Sequence, residues 1–73
     1  MINVNKLRGK IVENGMSVAE VAAIMGIDKS TLYRKMKSGT GETFTISEAR
    51  SICEILNLSV EEATAIFFSN YVA

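Results

Sequence analysis

Lys29, Ser30 and Arg34 sit close together in the chain and offer distinct chemistry. Arginine presents a planar fork of N–H donors, lysine a mobile point charge, and serine a hydroxyl that donates or accepts. This is chemistry for gripping an anion or a base edge rather than for breaking bonds. Histidine is absent, which removes the commonest general base and the commonest metal ligand. Ser17, Ser30 and Ser47 therefore have no imidazole to activate them. The adjacent pair Glu61-Glu62 belongs to a helix start, not to acid–base work. Cys53 is the lone cysteine and lies in an apolar stripe, so it reads as an inert core thiol with no disulfide to make. The sequence predicts no catalytic residue, no metal site and no cofactor.

The elements that must position these groups follow from spacing and caps. A first helix is predicted from Asn5 to Asn14, with Val4, Leu7, Ile11 and Val12 on its apolar side and Asn14-Gly15 at its end. Ser17-Val18-Ala19-Glu20 forms a capping box, in which hydroxyl and carboxylate exchange backbone N–H groups. Val18, Val21, Ala22 and Met25 follow on one face, and Gly26 permits a left-handed turn. Asp28 caps the next helix, Lys29 to Lys37, where Leu32 and Met36 point inward and Ile27 plugs the turn. Ser38-Gly39-Thr40-Gly41 interrupts the pattern. Between Thr40 and Ile46, three threonines and Phe44 leave a small hairpin open. Thr45-Ile46-Ser47-Glu48 and Ser59-Val60-Glu61-Glu62 are two further boxes. Ile46, Ala49, Ile52, Cys53 and Leu56 form one stripe; Val60, Ala63, Ile66 and Phe67 form the last. Five short helices result, none stable alone, so their stripes must share a core.

A chain of 73 residues makes one domain and buries only about 60% of the surface it exposes when unfolded, which excludes a large interior pocket. The formal net charge of zero conceals a split. Residues 1–40 hold seven Lys/Arg against three Asp/Glu, a net +4, and residues 41–73 hold one against five, a net −4. Such a basic half suits an anionic polymer, yet charge alone does not separate that from scatter. No apolar run of membrane-spanning length occurs, and Met1-Ile2-Asn3-Val4-Asn5 lacks a secretion pattern, so a cytoplasmic location is expected.

Residues 17–37 carry the informative unit. Two capped helices meet at Gly26-Ile27-Asp28, and small Ala22 lets them approach closely, so the second helix is braced and can be held outward. A B-DNA major groove admits one such helix. The run from Ser17 to Met36 resembles the helix-turn-helix of the phage repressor and Cro-like family, with Ala22, Gly26, Ile27 and Leu32 at its turn and packing positions. Phe44 to Ala49 and Leu56 to Glu62 resemble that family's fourth and fifth helices. The resemblance implies an all-α, compact five-helix repressor-like domain that binds operator DNA, usually as a homodimer. It assigns base reading to Lys29, Ser30 and Arg34. It assigns backbone contact to Ser17, Tyr33, Lys35, Lys37, Ser38 and Gly39, extended by Lys6, Arg8 and Lys10. One departure is visible: many relatives carry a phosphate-touching glutamine where this chain has Val18.

The end of the chain, residues 67–73, offers a dimerisation tail. Phe67 completes the core, and Phe68, Tyr71 and Val72 are surplus to its face, which makes them the predicted dimer interface. A tail folded over its own core is the alternative. The function expected is sequence-specific binding of double-stranded DNA in transcription control, with no small-molecule effector. The competing class is a protein-interaction module on the same fold, including an antitoxin-like role. Its mark would be Lys29, Arg34 and Lys37 covered by acidic residues.

Overall fold

A computed structural model describes residues 2–37 and 43–68. The described residues form five helices: α1 (Val4–Glu13), α2 (Val18–Met25), α3 (Lys29–Met36), α4 (Ile46–Ile55) and α5 (Val60–Phe67). Each begins at a polar side chain that satisfies an orphan N–H. Asn3 starts α1 by accepting from the Lys6 amide at 3.1 Å, so the helix begins one residue before the sequence expectation and ends at Glu13. Ser17/Glu20, Thr45/Glu48 and Ser59/Glu62 form reciprocal capping boxes with both bonds between 2.8 and 3.1 Å. Asp28 starts α3, accepting from the Ser30 amide at 3.1 Å.

Three helices end by one device. Gly15, Gly26 and Asn57 take positive φ values of 68°, 76° and 52°. The amide after each then reaches back five residues, Met16 to Ile11, Ile27 to Ala22 and Leu58 to Cys53, each at 3.0 Å. Met16, Ile27 and Leu58 turn their side chains onto the core, the apolar contact that accompanies such terminations. These bonds take up the Ile11, Ala22 and Cys53 carbonyls near the ends of α1, α2 and α4.

The core is Leu7 and Ile11 of α1, Val21 and Ala22 of α2, Leu32 and Met36 of α3, Ile52 and Leu56 at α4, and Ile66 of α5. Each fully buried aliphatic side chain contributes about 2 kcal/mol of transfer free energy. Helix α2 packs on α3 and α4, and α1 packs on α2 and α5. The Asn3 amide donates to the Ile66 carbonyl at 2.8 Å, fastening the start of α1 to α5. Phe44 meets Phe67 edge to face, with ring centroids 5.8 Å apart. No strand forms among the described residues. Phe44 spends its ring on Phe67, and Thr45 is taken up as the α4 cap.

Three apolar residues expected on inward stripes face solvent instead: Val12 is 73% exposed, Ile46 87% and Val60 82%. At 100° per residue, Val12 lies about 100° from Ile11, and Ile46 and Val60 each lie about 120° from Ile52 and Ile66. Ile46 and Val60 stand three residues before Ala49 and Ala63, and Val12 next to Ile11, but each stripe's centre is set by the residues that reach the core.

Candidate nucleic-acid interface

Gly26 makes the corner between α2 and α3. Its left-handed φ turns the chain, Ala22 is buried at the crossing, and Ile27 is half-buried beneath the turn. Leu32 is buried on the inner face of α3. Relative to Leu32, Ser30 and Arg34 lie about 160° round the helix, Lys37 about 140° and Tyr33 about 100°. Those four residues and Lys29 are exposed. The side of α3 away from the core is therefore a row of donors and cations.

Local bonds pre-set part of this row. Asp28 Oδ1 accepts from both the amide and the hydroxyl of Ser30, each at 3.1 Å. These two bonds, aided by nearby Arg34 and Lys29, hold the Asp28 carboxyl below the usual aspartate range. The Arg34 guanidinium donates to Thr31 Oγ1 at 3.3 Å. A groove of about 430 Å³ separates α1 from α3 and is lined by Val4, Arg8, Tyr33, Arg34, Met36 and Lys37. It brings Arg8 to the same hollow as Arg34 and Lys37, although all of α2 lies between them in the chain. Ser17 and Lys6 are exposed, and the Ser17 hydroxyl accepts from the Glu20 amide. Ser38, Gly39, Tyr71 and Val72 lie outside the described residues. Phe68 is exposed at the end of α5.

Two lysines expected to face phosphates are engaged within the chain. Lys10 pairs with Glu62 and with Glu13, and its side chain is 19% exposed. Lys35 donates to Glu48 Oε1 and to the Thr43 carbonyl, both at 3.1 Å, and its side chain is 15% exposed. The two glutamates also close capping boxes, so each does two tasks. The Lys10 bond, with the Ser59 amide, lowers the Glu62 pKa to about 2. The pairing with Glu62 raises Lys10 above its ordinary value. The Thr45 amide, then Lys35, hold Glu48 below the usual glutamate range. The helical angle was the available signal: Lys35 lies only about 60° from Leu32, at the border of the core. Burial pushes the Cys53 thiol up, away from the reactive thiolate.

A family model for the Cro/C1-type HTH DNA-binding domain matches residues 6–66. The chain belongs to that family. No curated protein and no solved structure matches it. The matched span runs from α1 into α5, so α2, α3 and the corner between them lie wholly within it. This Cro/C1-type domain is a DNA-binding regulatory module built on a compact all-α fold.

Proposed function

We propose that this Cro/C1-type domain is a sequence-specific transcriptional regulator of the phage or prophage repressor kind. It binds operator DNA in the cytoplasm as a homodimer and acts by occupying the promoter. The observation that carries the reading is the outward row of α3: Ser30 and Arg34 stand opposite the buried Leu32, with Lys29 and Tyr33 exposed beside them. In the major groove Arg34 takes guanine O6 and N7 through two parallel bonds, and Lys29 reaches guanine acceptors or a phosphate. Lys37, Tyr33, Lys6 and Ser17 flank them toward the backbone.

One such headpiece reads only a few base pairs. A two-fold dimer sets two copies of α3 about 34 Å apart on one side of the duplex. The exposed Phe68 supports a pairing surface at the end of α5.

The test is selection from random duplexes, with the oligomeric state measured alongside. An enriched palindrome bound by a dimer is the expected result, and no enriched sequence would favour an interaction module. Arg34→Ala should cost the selected site about 1–3 kcal/mol while leaving random duplexes nearly unchanged. Equal losses on every duplex would remove Arg34 from base reading.

A further inference from the structure

The end of α3 carries three cations, Arg34, Lys35 and Lys37, beside the core residue Met36, in a segment that DNA binding would set against a duplex. Lys35 is the one among the three cations that turns inward. Its ammonium is bound to the Glu48 carboxylate and to the Thr43 carbonyl, at the point where the chain enters α4. Glu48 is itself fixed: its Oε1 accepts from the Thr45 amide at 2.8 Å, and its own amide donates to Thr45 Oγ1 at 3.0 Å. Neither partner is fully exposed, with side chains at 15% and 21%. The carboxylate is thus immobilised by a helix cap before it meets the lysine, and the lysine is held to a carbonyl as well. Such a pair loses less entropy on forming than two free surface side chains do.

We propose that Glu48 is a positioning residue of DNA binding that acts through Lys35, by holding the ammonium off the phosphates so that it adds nothing to sequence-independent affinity. The inference rests on the DNA-binding reading above. Lysine on a recognition helix ordinarily strengthens binding to every duplex by displacing counterions, and such a contact carries no sequence information. Here the charge is cancelled within the fold, and the same bonds tie α3 to the start of α4. Glu48 thereby sets where the Lys35 charge goes.

The salt dependence of binding separates this role from simple structural support. Glu48→Gln removes the charge but keeps the capping box, which glutamine at that position also closes. Lys35→Met combined with Glu48→Gln replaces the pair by two neutral side chains and keeps the lysine's apolar stem. Affinity for a random duplex and for the selected site is measured between 50 and 200 mM salt for the full chain and both variants, each shown folded by its thermal transition.

The released ammonium of Glu48→Gln should steepen the salt slope on the random duplex by about 0.9, a loss about 3.5-fold larger across that salt range. Affinity for the selected site should shift alike, leaving the ratio of selected-site to random affinity unchanged. The double variant should return to the parent slope. If Glu48→Gln leaves the slope unchanged, Glu48 does not hold the Lys35 charge off a phosphate, and if the double variant is shallower than the parent by about 0.9, Lys35 already touches one; either result overturns the proposal while DNA binding stands. If the parent chain binds no duplex, both this inference and the DNA reading fall.

Discussion

Gly9→Ala and Gly26→Ala are one chemical change with opposite expected signs, and the structure supplies the reason for each. Gly9 lies inside α1 in helical conformation, and a Cβ built there has nothing within 4 Å. Glycine in a helix interior costs about 0.8–1.0 kcal/mol relative to alanine, because the unfolded chain loses more freedom. The alanine variant should therefore be more stable by about 1 kcal/mol. Gly26 also has open space around its Cβ position, so no clash arises there. Its φ of 76° is the obstacle. A left-handed alanine costs roughly 1–2 kcal/mol. Restricting the unfolded chain returns about 0.4–1 kcal/mol of that. The net is a loss of about 1 kcal/mol, and Gly26→Asn should lose less because asparagine tolerates this region. In a domain of this size 1 kcal/mol moves the melting midpoint by about 4–8 °C. Thermal unfolding followed by circular dichroism should show Gly9→Ala above the parent and Gly26→Ala below it. A Gly26→Ala protein that melts at or above the parent would refute the left-handed corner. A Gly9→Ala protein that melts lower would mean that α1 packs differently at this position.

Leu32 is 1% exposed at the centre of the core, so Leu32→Ala should cost about 3 kcal/mol through lost burial and the cavity left behind. That is a large share of the roughly 4–11 kcal/mol available to a domain of this length, and denaturant titration should show it as a lower midpoint at unchanged slope. For Glu62 the folded pKa of about 2 lies below the ordinary 4.5. Its stabilisation is therefore complete above the ordinary value and lost as pH falls toward 2. Lys10 has the opposite sense: its pKa is raised above 10.5, so its share is complete below that value and lost as pH climbs through the raised one. Glu62→Gln, which keeps the cap, should melt below the parent at neutral pH, with the two curves converging toward pH 2. Parallel curves across the whole acid range would exclude the Lys10–Glu62 pair as the cause.

Local grammar was legible in the sequence. Ser17…Glu20, Thr45…Glu48 and Ser59…Glu62 each settle their bonds within four residues, and all three boxes form. Gly15, Gly26 and Asn57 end helices for reasons internal to one turn. The long-range choices were hidden. Glu48 and Glu62 read as caps, and nothing local says that Lys35 and Lys10 would come to them from 13 and 52 residues away. The meeting depends on how α3 lies beside α4 and α1 beside α5. Asn3 is the cap of α1, and its place three residues before Lys6 is a local signal of the same kind. The exposure of Val12, Ile46 and Val60 required knowing which neighbour defined the centre of each stripe. The gathering of Arg8 with Arg34 and Lys37 is likewise a property of packing, not of spacing.

The hydroxyl of Ser30 points its proton into Asp28. What remains for an incoming base is a pair of lone pairs, with an aspartate oxygen beside them. Guanine offers only acceptors on its major-groove edge, and thymine an acceptor and a methyl group, so neither finds a complement here. Adenine N6 and cytosine N4 do, because each carries amino hydrogens. Selected half-sites should therefore hold an amino-bearing base opposite Ser30 and a guanine opposite Arg34. Ser30→Ala should relax the first preference alone, and a guanine or thymine enriched opposite Ser30 would show that its proton turns outward on the duplex.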